Sequence, residues 1–176
     1  MGSTCHRAPL ALLEVLYLSG NQIGDNGMIA FAGAIKPTDE TPMGSLASLQ
    51  RLDLENNQIG DEGMKAFSSS LSSGSLASLQ TLWLNHNQIG DAGMIAFAEA
   101  LKPNSNFPMG ALASLETLNL YRNNIGDEGM KAFSSALSSG ALGSLGTLYL
   151  DGNLASDSAK NAVKAVASSR SINLTI

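Results

Sequence analysis

The sequence predicts a single α/β solenoid, in which short parallel strands and helices alternate along a coiled chain. The same segment, spaced by 30 or 36 residues, recurs along the 176 residues. Each copy begins with an apolar period of two and continues with a helical apolar period. One copy is too small to bury its own apolar face, so neighbouring copies must stack on each other to be stable.

About five full repeats and a terminal strand are expected. The repeats start near residues 13, 49, 79, 115 and 145, and the final strand covers 171–176 after an N-terminal tail at 1–9. Residues 13–78 and 79–144 are identical at 44 of 66 positions, so the true unit is a pair of repeats. This likeness indicates an internal duplication or a designed array, and residues 1–176 are expected to form one domain.

The first half of each repeat predicts a short strand. In LQRLDLENNQIGD, Leu52 and Leu54 alternate with other residues, which is typical of a strand with one face on the core. The residues between the leucines are therefore expected to face solvent.

The second half predicts a helix, because Met64, Phe67 and Leu71 lie on one helical stripe. An aspartate precedes each stripe, where its carboxylate is expected to accept free amide hydrogens of the helix start. These residues are Asp25, Asp61, Asp91 and Asp127. The glycine before each aspartate suits a turn with a positive φ or a close backbone approach.

The longer repeats owe their length to two return loops, 36–44 and 102–110, which are expected on the same edge of the solenoid. Two interpretations are open for these loops. Either Phe107 makes an exposed contact with a ligand, or a proline-stiffened loop packs Met43 or Met109 inward. The inward packing is the simpler interpretation.

Composition and charge exclude several functional classes. The chain has 10 Lys and Arg against 15 Asp and Glu, so its net charge of −5 argues against nucleic-acid binding. Cys5 is the single cysteine, and no apolar run is long enough to span a membrane. Neither His6 nor His86 has a catalytic partner in the pattern, and no metal-ligand cluster is evident. A non-catalytic protein without cofactor or metal is predicted.

The candidate binding residues lie between the strand leucines. The two 66-residue copies differ at all of these columns, and the three Tyr and the single Trp of the chain occur there. Rigid exposed aromatics are typical of recognition surfaces. The predicted anchors are Tyr17, Trp83, Tyr121 and Tyr149, and the polar contacts are Arg51, Asp53, Glu55, Asn85, His86, Asn119, Arg122 and Asp151.

Two details of this face are also predicted. Arg51 is expected to pair with the neighbouring carboxylates Asp53 and Glu55. In the terminal strand, Ser171 is expected beside Thr147, and Asn173 beside Tyr149.

The pattern LxxLxLxxNxIGDxGMxAFxxxL resembles the leucine-rich repeat, and within it the ribonuclease-inhibitor-like subfamily, to which NOD-like receptor arms and Ran GTPase-activating proteins belong. The resemblance implies a curved parallel sheet on the concave face and helices on the convex face. It also implies a buried asparagine ladder that bonds the backbone of adjacent turns, formed by Asn21, Asn57, Asn87, Asn123 and Asn153. The repeats are longer than is usual in that subfamily, and both ends look uncapped.

The resemblance leaves the function open, because this fold binds many unrelated partners. The first hypothesis is a protein-interaction module that binds its partner on the concave face. The alternatives are a regulator of an enzyme, of the GTPase-activator or nuclease-inhibitor type, and a structural array that associates end to end through its termini. A cytoplasmic location is expected, because secreted leucine-rich repeats commonly carry disulfide-bonded caps.

Overall fold

The structure is a computed structural model that describes residues 10–176. The predicted tail at 1–9, with Cys5 and His6, lies outside these residues. Strands and helices alternate throughout the described chain. The elements are β1 (Val15–Tyr17), α1 (Gly24–Ile35), β2 (Arg51–Asp53), α2 (Asp61–Leu71), β3 (Thr81–Trp83), α3 (Asp91–Leu101), β4 (Thr117–Asn119), α4 (Asp127–Ser138), β5 (Thr147–Tyr149), α5 (Asp157–Ser169) and β6 (Asn173–Thr175).

The six strands form one parallel sheet in chain order, from β1 to β6. The central leucine of each strand is in register with the next, from Leu16 beside Leu52 to Leu148 beside Leu174. Each helix packs against the helix of the next repeat. Helices pack about 8–10 Å apart and strands only about 4.8 Å apart, so the array bends toward the sheet. The predicted leucine-rich-repeat solenoid is confirmed.

The core runs between the sheet and the helices. The predicted helix stripe is fully buried in α2, where Met64, Phe67 and Leu71 have no exposed surface. Leu52 and Leu54 close the core from the strand side and are equally buried. Of the helix phenylalanines, Phe31 of α1 is half-buried, because in the described chain α1 packs against only one neighbouring helix. Among residues 10–176, no helix is both long and apolar enough to cross a membrane.

The helix-start aspartates cap the helix of the next repeat. Asp25 Oδ1 accepts hydrogen bonds from the amides of Gly60, at 2.7 Å, and Gly63, at 2.8 Å, which lie at the start of α2. The contact recurs in later repeats, from Asp61 to Gly90 and Gly93, from Asp91 to Gly126 and Gly129, and from Asp127 to Ser156. The prediction that each aspartate caps its own helix is wrong, because each lies inside its own first turn and faces the next repeat.

The predicted glycine roles both occur, at different positions. Gly24 has a φ of +57°, the left-handed region that glycine enters easily. The corresponding Gly60 is extended instead, with a φ of −105° and a ψ of −159°. At Gly60 and Gly63 the requirement is space, since a Cβ on Gly63 would lie 2.7 Å from Asp25 Oδ1.

The asparagine ladder implied by the resemblance is confirmed. Asn87 Nδ2 donates to the carbonyls of Leu54, at 2.9 Å in the preceding repeat, and Leu84, at 3.0 Å. Its Oδ1 accepts from the amides of Asn57 and Ile59, both at 3.0 Å. The ladder continues through Asn123 and Asn153. Asn21 differs, because its exposed side chain donates within its own repeat, to Leu18 at 2.8 Å.

The predicted register of the last strand is wrong by two residues. Asn173 lies beside Thr147, and Thr175 beside Tyr149, so Ser171 precedes the strand. The physical reason is the length of α5, which continues to Ser169. Ser171 then takes a φ of +57° in the turn that leads into β6.

The prediction that the return loops pack Met43 or Met109 inward is wrong. Met43 and Met109 are 69% and 66% exposed. Phe107 is the half-buried residue, and its ring packs against Gly74, where a Cβ would lie 3.1 Å from Phe107 Cζ. The ring fits because Gly74 has no side chain.

Candidate binding face

Three rows of side chains cross the sheet on its concave face, and the strand register assigns their members. The first row contains Val15, Arg51, Thr81, Thr117, Thr147 and Asn173. The middle row contains Tyr17, Asp53, Trp83, Asn119, Tyr149 and Thr175. The last row, two residues further along each repeat, contains Ser19, Glu55, Asn85, Tyr121 and Asp151.

The middle row alternates between rings and short polar side chains. Rings come from β1, β3 and β5, with Tyr17 58% exposed, Tyr149 37% exposed and Trp83 half-buried. The polar residues of β2 and β4 fold back onto their own chain. Asp53 Oδ1 accepts from the amide two residues on, at 2.9 Å, and Asn119 Oδ1 does the same at 3.0 Å. The row therefore presents a ring on every second strand.

Two residues predicted as exposed contacts are buried. Asp53 is 4% exposed and lies in register between the larger rings of Tyr17 and Trp83. Asn85 is 5% exposed, and its Oδ1 has no hydrogen-bond partner in the described chain. The prediction overlooked that a short side chain on this face is covered by the larger side chains of adjacent strands.

The predicted pairing of Arg51 with Asp53 and Glu55 is also wrong. Arg51 Nη1 donates to the hydroxyl of Tyr17 at 3.2 Å, which crosses from β2 to β1. The ion pairs of residues 10–176 are all on helices or at their ends, between Glu62 and Lys65, Glu99 and Lys102, and Glu128 and Lys131. The charged groups of the concave face thus have no ion-pair partner within the described chain.

Tyr121 is held between two neighbours at the exit of β4. Its ring meets the ring of His86 edge-on, with centroids 5.2 Å apart and an interplanar angle of 86°. On the same ring, the Arg122 Cζ lies 5.1 Å from the centroid, which is a cation–π distance. His86 and Arg122 therefore lie close together, and both contact the ring of Tyr121.

The residue after the last row has a left-handed backbone in every repeat. The φ values are +70° at Gly20, +53° at Asn56, +55° at His86, +50° at Arg122 and +72° at Gly152. Glycine and asparagine adopt this conformation readily, whereas a non-glycine residue held there costs about 1–3 kcal/mol. The sequence signal was the alignment of His86 and Arg122 with glycines of other repeats. Such strain is common at functional sites.

Gly152 makes room for this cluster. A Cβ at Gly152 would lie 2.9 Å from the Cγ of Arg122 and 3.3 Å from Cε2 of Tyr121. The aliphatic part of Arg122 therefore packs over a position that has no side chain.

The face offers rings, hydrogen-bond donors and isolated charges, which are groups suited to binding. Within residues 10–176, no three His, Cys, Asp or Glu side chains lie close enough together to share a metal ion.

Comparison with protein families identifies the repeats. A model described as leucine rich repeats (2 copies) matches residues 47–97, and a second, described as leucine rich repeat, matches residues 11–32 and 111–134. The chain is a leucine-rich-repeat protein. Proteins of this family generally mediate protein–protein interaction and are typically non-enzymatic binding modules.

Comparison with curated proteins gives no match. Among solved structures, the leucine-rich-repeat chain is similar to an internalin (inlF) from Listeria monocytogenes, with 22% identity and a TM-score of 0.41. The alignment covers 99% of this chain and 50% of the internalin, so the chain spans half the length of that protein.

Proposed function

We propose that the chain binds a protein partner on its concave face and catalyses no reaction itself. The observation that supports this proposal is the row of rings on β1, β3 and β5. Tyrosine and tryptophan provide large amphipathic contact area at small cost in side-chain entropy. A parallel sheet flanked by packed helices holds these rings in place before a partner arrives.

The anchors in this proposal are Tyr17, Trp83, Tyr121 and Tyr149. Tyr121 contributes a ring whose orientation is fixed by His86 and Arg122. The charged residues that tune selectivity are Arg51, Glu55, Arg122 and Asp151. The buried Asp53 and Asn85 are then low positions of the face, and Asp53 and Asn119 turn onto their own backbone between the rings.

Three further expectations from the sequence are part of the proposal. They are the ribonuclease-inhibitor-like subfamily, a cytoplasmic location, and the extent of the domain over 1–176. The first rests on the pattern LxxLxLxxNxIGDxGMxAFxxxL, from which the long repeats depart in length, and the second rests on the single cysteine of the chain. The third rests on the repeats, which continue in register along the chain.

A pull-down comparison tests the proposal. The bait is the full chain, and the variant is Trp83→Ala/Tyr121→Ala. We expect the variant to lose the partner, since hot-spot aromatics each contribute more than about 1 kcal/mol to an interface. The matched control is Met43→Ala/Met109→Ala, which truncates two exposed apolar side chains away from the face. Circular dichroism checks that both variants fold.

Equal recovery of the same partners by the intact chain and by Trp83→Ala/Tyr121→Ala would show that the concave face is not the binding surface. Loss with the methionine control alone would place the surface on the return loops instead.

End-to-end association is the alternative with a structural observation behind it, because in the described chain β6 pairs only with β5. Light scattering over a range of protein concentrations separates the two functions. A mass that rises with concentration supports association, and a constant monomer mass excludes it. Regulation of an enzyme would appear as a change of turnover in the target enzyme when the chain is added.

A further inference from the structure

The middle row of the concave face has a spacing that selects for one kind of ligand. We propose that the partner contributes a basic, proline-rich segment in the polyproline II conformation. It crosses the strands along the middle row and places prolines i, i+3 and i+6 on Tyr17, Trp83 and Tyr149. This inference rests on the proposed function and names the partner of that same face.

The first argument is the distance between the rings. Parallel strands lie about 4.8 Å apart, so rings on every second strand lie about 9.6 Å apart and three rings span about 19 Å. A polyproline II helix rises about 3.1 Å per residue with three residues per turn, so the same face returns every 9.3 Å or so. Three prolines at i, i+3 and i+6 therefore cover about 18.6 Å.

The other regular peptide conformations fit less well. An extended strand presents the same face every two residues, about 6.7 Å, which does not match the interval of about 9.6 Å between the rings. An α-helix returns to the same face after seven residues, about 10.5 Å, and so accumulates a mismatch of about 2 Å over the three rings.

The second argument is the shape of the surface along the middle row. Between the rings lie Asp53 and Asn119, whose side chains turn onto their own backbone and do not stand up between the aromatic groups. Asp53 is 4% exposed, whereas the adjacent Tyr17 is 58% exposed. The surface is thus a series of rings separated by low positions, which is the shape that seats a ridge of evenly spaced pyrrolidine rings.

The third argument is hydrogen bonding. The backbone of a polyproline II segment has no internal hydrogen bonds, so its carbonyl groups need donors. Within residues 10–176, no hydrogen bond is formed by the indole N–H of Trp83 or the hydroxyl of Tyr149. Both donors lie in the middle row, where the segment would run.

The fourth argument is size and charge. The face of six strands projects about 360 Å², well below the 800 Å² or so that a globular partner buries in a standard interface. A seven-residue segment about 19 Å long matches it. Beside the rings, the last row carries Glu55 and Asp151, and neither has an ion-pair partner in the described chain. The two arginines of the face already contact tyrosines, since Arg51 donates to the hydroxyl of Tyr17 and Arg122 lies over the ring of Tyr121. Lysine or arginine on that side of the segment complements the two carboxylates.

Trp83 is the single tryptophan of the chain, so its fluorescence reports on the middle ring directly. The test titrates the full chain with the peptide Pro-Lys-Ala-Pro-Lys-Ala-Pro, in which the prolines have the proposed spacing. One control, Pro-Ala-Pro-Lys-Pro-Lys-Ala, has the same composition but prolines at i, i+2 and i+4. A second control is a lysine-rich helical peptide with leucines seven residues apart.

The expected result is a shift of Trp83 emission that saturates with the first peptide and is weaker with both controls. Tyr17→Ala and Tyr149→Ala each weaken binding about tenfold, as loss of an aromatic anchor does. Both sites are remote from Trp83 by two strands, so the reporter itself is retained. Met109→Ala, an exposed residue of the return loop, leaves the affinity unchanged.

Three results would overturn the inference. They are no emission change up to about 1 mM peptide, equal or tighter binding of either control peptide, and binding that is insensitive to both tyrosine substitutions. None of them affects the pull-down comparison. If the Trp83→Ala/Tyr121→Ala variant still loses its partner in the pull-down, the concave face remains the binding surface. Only the proline-rich segment is then excluded.

Discussion

At the residue scale, glycines in this chain are required where another repeat's side chain occupies the space. The start of α3 shows this, because a Cβ on Gly93 would lie 2.7 Å from Asp61 Oδ1. Gly33 of α1 is also helical, yet a Cβ there would meet nothing within 4 Å. The same residue type therefore has opposite tolerance to substitution at the two sites.

Gly93→Ala is expected to lower the free energy of unfolding by about 1–3 kcal/mol, since the methyl group displaces the capping carboxylate. The matched control Gly33→Ala is expected to raise it by about 0.5–1 kcal/mol, because alanine favours the helix. Urea unfolding of both variants measures the difference. Equal effects at the two sites would contradict the capping geometry.

His86 and Asn56 occupy equivalent left-handed positions, with φ values of +55° and +53°. Asparagine adopts this region more readily than histidine. His86→Asn is therefore expected to raise the free energy of unfolding by up to about 1 kcal/mol, and Asn56→His to lower it by a similar amount. Thermal unfolding checks the signs.

His86→Asn also removes the ring contact to Tyr121, so partner recovery in the pull-down is expected to fall while stability rises.

At the scale of elements, each helix start from α2 to α5 depends on the repeat before it. The sequence reasoning found the strands and helices because periods of two and 3.6 residues are local properties. The caps were assigned to the wrong helices, because the two amides that donate to Asp25 are 35 and 38 residues away in the sequence. The sequence reasoning also misplaced the register of β6, because α5 departs from the repeated pattern, continues to Ser169 and leaves only residues 170–172 before the strand.

The last cap gives an expectation for acid unfolding. The backbone amide and the hydroxyl of Ser156 donate to Asp127 and lower the pKa of its carboxyl group below its ordinary value. A carboxyl whose folded pKa is depressed stabilises the fold above its unfolded pKa, and this contribution is lost as the pH falls through the folded pKa.

Asp127→Asn is accordingly expected to reduce stability at pH 7 and to weaken the loss of stability between about pH 5 and pH 2. Ser156→Ala removes the hydroxyl donor and keeps the amide donor, so it should weaken the pH dependence less than Asp127→Asn does. It also removes the cap that the Ser156 hydroxyl provides to the amide of Ala159, which lowers stability at every pH. Urea midpoints measured across this pH range supply the comparison. A stability curve of unchanged slope in Asp127→Asn would exclude the cap as a source of acid sensitivity.

At the scale of the whole molecule, the asparagine ladder joins the repeats into one cooperative unit. Asn87 is 7% exposed and serves the carbonyl of Leu54 in one repeat and that of Leu84 in the next. The ladder followed from the resemblance to the leucine-rich repeat, and the rows of the candidate face followed from repetition in the sequence. The burial of Asp53 and Asn85 did not, because it depends on which side chains lie on adjacent strands.

Asn87→Ala is expected to cost about 3 kcal/mol or more, because it leaves several buried backbone groups without partners. Asn21→Ala should cost about 0.5 kcal/mol, since that side chain is exposed and bonds within its own repeat. Denaturant unfolding measures both values. The amide of Ile59 donates to Asn87 Oδ1 at 3.0 Å, so this amide is expected to exchange its hydrogen faster in Asn87→Ala. Similar costs at the two positions would refute a ladder that links repeats.

The alternation of ring and short polar residue along the middle row coincides with the 66-residue duplication unit, because each unit supplies two strands. Copying the unit once more would lengthen the middle row by one tyrosine or tryptophan and about 9.6 Å. In the binding mode proposed above, the bound segment would then grow by three amino acids, so the number of repeat units would set the length of the proline-rich motif.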